Sequence, residues 1–291
     1  MVDANIILQF IVNGIVYGSI IAVGAMALTL VFGVLEFINF AHGEYMTLGA
    51  YLAFVFNVQF GLPIWAAFVV TLPLMAVFSV GADRIVFKPM RGDNHVTILI
   101  ASIGLSFVLR NVIRMVWGVR KVGFKTPFFS GYKVGPVTVT PETIAIFLTA
   151  VAIMGLVHYL FTRTMIGRVM RAISDNQDLA AASGIHTERI VIYTWALGGA
   201  MAGAAGILIG LQNVIGPMMG YNVLLAIFGA VVLGGIGNVY GALVGGLLIG
   251  ILQKVSVAFL PSSYQITIVF VVLAVFFVYK PDGLFRSTTT V

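Results

Sequence analysis

Nine residues carry a large share of this chain's polar chemistry: Glu36-Phe37-Ile38-Asn39-Phe40-Ala41-His42-Gly43-Glu44. They hold two carboxylates, an amide and an imidazole, in a sequence with only 4 histidines and 10 acidic residues. Long apolar runs lie on both sides. A polar break between membrane-length apolar segments is either a loop at the water interface or irregular backbone lining a cavity inside the protein. Ionisable groups inside a membrane are costly and tend to be functional. Two readings of Asn39, His42 and Glu44 are open. In one they cap a helix end at the interface, satisfying backbone groups. In the other they line a translocation path or shape its gate.

The elements that position this stretch are membrane helices. Hydrophobic residues make up 60% of the chain and charged residues 9%, against about 25% charged in ordinary globular domains. The solvent is therefore a bilayer. The reading is all-α: one polytopic transmembrane domain over residues 1–291, with about eight or nine transmembrane or broken helices. No cysteine is present, so disulfides and thiolate metal sites are excluded. The net charge of +6 suits anionic lipid and basic cytoplasmic loops rather than nucleic acid. Asp3 is the one charged residue before the first apolar run, with no basic stretch and no small-residue cleavage site, so no signal peptide is expected.

The first run, Ile6 to Leu35, exceeds the roughly 20 residues a span needs. Short runs follow from Tyr45 to Phe60 and from Leu62 to Ala82, the latter with Pro63 at its start and Pro73 inside. Asp83 to His95 reads as a polar loop, and Val96 to Trp117 as a span whose Arg110 and Arg114 snorkel to the interface. Residues 118–142 read as an extramembrane loop with one short hairpin. Thr143 to Phe161 and Ile190 to Leu211 span. Val223 to Leu233 is short and can be broken or re-entrant, and Ala242 to Phe259 and Gln265 to Tyr279 close the series. Gly14, Gly18, Gly199, Gly203, Gly237, Gly241 and Gly245 recur at small-x-x-x-small spacing and are expected to pack helices closely.

Between the spans lies Thr162 to Arg189. Ser174-Asp175-Asn176 offers a helix start, Gln177 to Ser183 favours helix, and Gly184 supplies a stop. A short helix outside the bilayer is predicted there. The Asp83–His95 and Thr162–Arg189 loops and the C-terminus together hold Arg84, Lys88, Arg91, Arg163, Arg168, Arg171, Arg189, Lys280 and Arg286. The positive-inside rule puts that set in the cytoplasm, and an odd number of crossings then leaves the N-terminus outside.

No P-loop, H-E-x-x-H or G-x-S-x-G pattern occurs, so neither ATP binding nor hydrolytic chemistry is expected of this chain. No metal site or cofactor is expected in it either.

Four stretches, INFAHGEYMTLGAY (Ile38 to Tyr51), GRVMRAISDNQDLAAASGI (Gly167 to Ile185), VVLGGIGNVYGALVGGLLIGI (Val231 to Ile251) and KPDGLF (Lys280 to Phe285), resemble one family in the right order and over nearly the whole chain. It is the branched-chain amino-acid permease family of ABC importers, of the Liv H-type. The resemblance implies a multi-pass subunit of the bacterial inner membrane that pairs with a second, similar permease. Two cytoplasmic ATPase subunits, which use the ATP, and a periplasmic substrate-binding protein complete such systems. It also implies that the segment around 163–189 is the coupling segment. Arg168, Arg171, Asp175, Asn176, Ala180, Ala181, Ala182, Ser183 and Gly184 would then meet an ATPase groove. Cargo other than branched-chain amino acids stays open: urea, short amides or other amino acids. A self-contained channel or secondary transporter is the competing class, and the near absence of carboxylates within the spans counts against ion coupling.

Overall fold

Continuous apolar sequence dictates helices here, because a backbone in lipid must satisfy its own hydrogen bonds. The structure, a computed structural model, describes residues 4–92, 94–126, 130–280 and 283–285. Among these the α-helices are α1 (Ala4–Leu35), α2 (His42–Phe54), α3 (Ile64–Ala82), α4 (His95–Trp117), α5 (Pro141–Arg163), α6 (Met165–Asp175), α7 (Gln177–Ala182), α8 (Thr187–Gln212), α9 (Met219–Gly234), α10 (Val239–Ser256) and α11 (Gln265–Tyr279). A hairpin, β1 (Tyr132–Val134) paired antiparallel with β2 (Val137–Val139), sits in the 118–142 loop. Among the described residues seven helices are long and apolar enough to cross a membrane, and α9 is a shorter apolar one. With α2, which runs on through a π-helical turn at Val55–Gln59, these make up the transmembrane and broken helices of a polytopic all-α membrane protein.

The ends follow local chemistry. Asn94 caps α4, its side chain accepting from Val96 N–H at 3.2 Å. Asn238 caps α10 by accepting from Gly241 N–H at 2.9 Å. Gly118, at φ 78°, ends α4 where a side chain would be strained.

Two expectations about the loops need correction. Asp83 to His95 is not a loop throughout: α3 continues as a π-helical turn at Asp83–Phe87 and a 3-10 turn at Lys88–Met90. Three of the charges that read as loop, Asp83, Lys88 and Arg91, are engaged in ion pairs. Arg91 holds both oxygens of buried Asp83, at 2.5 and 2.6 Å, while Phe87 stacks on Trp195 with ring centroids 5.1 Å apart. The segment Thr162 to Arg189 holds two helices rather than one. Thr164 caps the additional helix, α6, accepting from Gly167 N–H at 3.2 Å, and α6 buries Gly167, Met170 and Ile173 on a single face.

Helix α1 is the hub, buried from mid-length to its C-terminal end. Added Cβ atoms at Gly14 and Gly18 would fall 2.8 Å from α10 backbone at Ile251 and Leu247. Side chains there would hold the two helices apart, so the small residues set the crossing. Gly199 lies against Ser79 and Met75 of α3, and Gly203 against Met75 and Gly49 of α2. Gly241 faces Gly234, and Gly245 faces the Ala230 carbonyl, joining α9 to α10. Gly237 departs from the packing role read for it: nothing lies within 4 Å of a Cβ there, and its φ is 89°. It serves the backbone of the α9–α10 turn. Gly241→Leu must drive α9 from α10, and we expect a loss of about 1–3 kcal/mol or more. Thermal unfolding of the purified subunit checks this, and an unchanged melting temperature would contradict it.

Ties between loops define two faces. Gln9 exchanges hydrogen bonds with Thr138 (2.8 and 3.2 Å), Asn57 accepts from Lys125 N–H (2.7 Å), and Val122 bridges to Ile215. These place the N-terminus, the hairpin loop and the 213–218 break on one face. On the other, Glu188 pairs with Lys88 (2.7 Å) and Arg91 (3.1 Å), and Leu284 N–H donates to the Leu233 carbonyl (2.9 Å). Arg286 lies outside the described residues; the rest of the basic set assigned to the cytoplasm belongs to helix ends and loops of this second face.

Candidate functional site

The polar stretch folds back into the protein. Glu36 leaves α1 with φ 56°, a left-handed conformation unusual for a side chain larger than glycine. The backbone then runs irregularly to His42, and side chains take up part of the freed hydrogen bonding. Phe40 N–H donates to Ser102 Oγ of α4 at 3.1 Å, and Ala41 N–H to Asn39 Oδ1 at 2.9 Å. Helix α2 therefore begins at depth, level with the middle of α1: His42 Nε2 lies 3.0 Å from the Gly24 carbonyl. A carbonyl only accepts, so Nε2 carries the proton. Irregular backbone at this depth is tolerated where it is buried in protein or lines a cavity.

Glu44, in the first turn of α2, meets Arg110 of α4. Arg110 donates to Glu44 Oε1 from Nε at 2.9 Å and from Nη2 at 2.5 Å, and Ser106 joins the pair at 3.2 and 3.4 Å. Glu44 is 1% exposed and Arg110 7%. Arg110 does not snorkel, because the buried Glu44 carboxylate offers it a charged partner. Every contact falls on Oε1, and Oε2 is buried with no hydrogen bond. The guanidinium lies 4.3 Å over the Tyr221 ring and 5.5 Å from that of Phe107. Arg114 donates to Met218 Sδ at 3.0 Å.

A second broken helix meets the first at this point. After the 213–218 break, α9 starts with Gly220 against Gly43, backbone on backbone. Gly220 N–H donates to Thr47 Oγ1, whose hydroxyl donates to the Gly43 carbonyl, both at 3.1 Å. Only glycine permits that approach: a Cβ at Gly43 would sit 2.8 Å from the Gly220 oxygen. Two helix N-termini, with their positive dipole ends, thus converge beside a buried ion pair. Phe107, Asn111, Tyr221 and Asn222 are exposed along this side.

Asn39, His42 and Glu44 are therefore close in sequence but differently employed: Asn39 holds the break, His42 ties α2 to α1, and Glu44 binds α4. Sequence reading missed Arg110, Ser106, Thr47 and Tyr221. The signal available was Arg110 itself, a cation inside an apolar span, which calls for a buried partner.

The second candidate region is on the basic face. Helix α7 starts at Asn176, whose Oδ1 accepts from Leu179 N–H at 2.8 Å, and stops at Gly184, with φ 83°. Leu179, Ala181, Ala182 and Ser183 are exposed, as are Arg168, Asp175, Asn176 and Gly184. Ala180 points inward, 5% exposed, and so adds nothing to the outer surface. Arg171 donates to the Phe161 carbonyl at the end of α5, so part of its hydrogen-bonding capacity is already used within the chain. Among the described residues no group of three or more His, Cys, Asp or Glu side chains could hold a metal ion.

Comparison with known proteins gives consistent matches. A family described as "Branched-chain amino acid transport system / permease component" matches residues 10–279. The high-affinity branched-chain amino acid transport system permease protein LivH of Escherichia coli is 32% identical, over 95% of this chain and 94% of its own length. BraD of Pseudomonas aeruginosa, described in the same terms, is 30% identical over 95% of each chain. A probable LivH of Methanocaldococcus jannaschii is 30% identical over 87% of this chain and 82% of its own.

Proposed function

This chain belongs to the branched-chain amino acid transport permease family, and from that premise we propose that it forms half of the translocation path of an ATP-driven importer of branched-chain amino acids. The match over residues 10–279 carries the proposal. Its other half is a second, homologous permease. Two cytoplasmic ATPase subunits drive it, and a periplasmic binding protein delivers the cargo. Residues 1–291 act as a single permease domain, with the exposed ridge of α7 as the docking surface for an ATPase. The polar face around the Glu44–Arg110 pair is the part of the path this chain supplies.

The geometry favours this reading over a secondary transporter. Glu44 and Asp83 are buried carboxylates of the embedded helices, and each is held by an arginine, Arg110 or Arg91. A coupling cation at either carboxylate would meet the positive charge of that arginine.

The test is reconstitution of the chain with its partner permease, ATPases and binding protein in liposomes. Labelled leucine should enter only with ATP and binding protein present. Uptake of urea or a short amide in preference to leucine would move the cargo assignment. Uptake by the isolated chain, driven by an ion gradient, would overturn the class. The isolated chain should also hydrolyse no ATP, and vanadate-sensitive turnover by it alone would contradict the proposal.

A further inference from the structure

On the basic face, a cavity of about 470 Å3 opens between the C-terminal end of α1, helix α6 and the turn joining α9 to α10. It shares no lining residue with the Glu44–Arg110 cluster. Its volume lies within the range of small-molecule sites. One part of the wall is apolar, from Leu30, Phe32 and Val34 of α1 and Met170 of α6. The other is polar and of both signs: Glu36, Asp175, Arg171, His95 and Asn238.

Two features of the wall are unexplained by folding alone. Thr29 lines the cavity, is 0% exposed, and its hydroxyl has no hydrogen-bond partner. A helical threonine commonly returns its hydroxyl to the carbonyl four residues back, as Thr71 and Thr194 do in this protein. Thr29 does not, and its hydroxyl stands unpaired just behind the cavity surface. Glu36, at the mouth, keeps its left-handed backbone of φ 56°.

The charge balance selects the ligand class. Two carboxylates stand against one arginine, which already donates to the Phe161 carbonyl. A phosphate or an anionic lipid head group is disfavoured, and an ammonium is welcome. Arg171 and Asn238 can still meet a carboxylate, and the α1 wall suits an aliphatic tail.

We propose that this cavity binds a small zwitterion with an aliphatic side chain, an α-amino acid, from the cytoplasmic side. This rests on the transport reading, which makes such a molecule the product released there. An occupant stands between α1 and α6, where Gly33 faces Ser174. It wedges apart two helices, one of which leads directly into α7. Occupancy therefore slows ATP-driven uptake.

The experiment uses the complete transporter in liposomes, with ATP inside and the ATPases facing the lumen. Lumenal leucine should lower the initial rate of labelled leucine uptake several-fold relative to an equal concentration of lumenal glutamate. Ser174→Trp fills the cavity permanently, so it should lower the basal rate and make the remaining uptake insensitive to lumenal leucine. Glu36→Gln keeps the shape and removes one of the two carboxylates that receive the ammonium. It should raise the half-inhibiting leucine concentration about five- to tenfold. Should the tryptophan variant fail to assemble, the glutamine variant decides. Wild-type uptake that ignores lumenal leucine, or inhibition unchanged in the glutamine variant, overturns the cavity assignment and leaves the transport reading intact. Absence of ATP-driven leucine uptake in wild type overturns both.

Discussion

Arg110→Ala should destabilise the subunit by about 3–5 kcal/mol and abolish uptake, because it leaves Glu44 buried without a cation. Glu44 is 1% exposed and all its hydrogen bonds come from Arg110 and Ser106. Water cannot replace the guanidinium at that depth without opening the α2–α4 contact. Glu44→Ala should cost a comparable amount by stranding Arg110. The double replacement Glu44→Leu with Arg110→Met removes both charges while keeping apolar bulk, and such exchanges are often neutral or stabilising. It should recover most of the melting temperature. If the pair serves the path as well as the fold, uptake stays lost in the double variant. Full recovery of uptake would reduce the pair to a clamp between two helices.

Ala181→Trp should leave the subunit inserted and folded but reduce ATP-driven uptake to background. Ala181 is exposed on α7, between Ala180, which points inward, and the capping Ser183-Gly184 turn. An indole there stands proud of a ridge made of small side chains, and a groove shaped to that ridge cannot close on it. The effect reaches the membrane through rigid contacts. Beyond α7, Glu188 at the start of α8 pairs with Lys88 and Arg91, and Arg91 holds Asp83 in the π-helical turn of α3. Phe87 of that turn stacks on Trp195 and lies 5.1 Å from Phe37, within the broken stretch itself. Co-purification of the ATPases with the variant measures the docking directly. Retained ATPases with wild-type uptake would show that α7 is an ordinary surface helix.

How much of this was legible depended on how local the cause is. Helix α7 was readable because its cap, its alanines and its Gly184 stop act within eight or nine residues. The embedded helices were readable because a bilayer imposes length and apolarity on each of them separately. What escaped were effects that need two distant segments. Arg110 read as an interfacial arginine because nothing near it in sequence discloses Glu44. Asp83 to His95 read as a loop because its charges look solvated, whereas Asp83 is held by Arg91, and Lys88 pairs with Glu188, 100 residues on. Helix α6 was passed over because its composition is polar; its apolar residues share one face, which becomes visible only against α1 and α5. Gly237 was grouped with packing glycines on spacing alone, and spacing cannot distinguish a helix contact from a turn.

The central claim is that the face beside the Glu44–Arg110 pair lines a path for a polar solute rather than meeting lipid. The chain has no cysteine, so single cysteines can be placed on that face without background. Asn111→Cys and Asn222→Cys put a thiol at exposed positions next to Arg110 and Tyr221, and Val77→Cys puts one at a 71% exposed position on α3. A water-soluble, membrane-impermeant thiol reagent should label the first two variants in the assembled transporter, at rates that change when ATP is added, and leave the third unlabelled. Inert thiols at 111 and 222, indistinguishable from the one at 77 with and without ATP, would contradict the account.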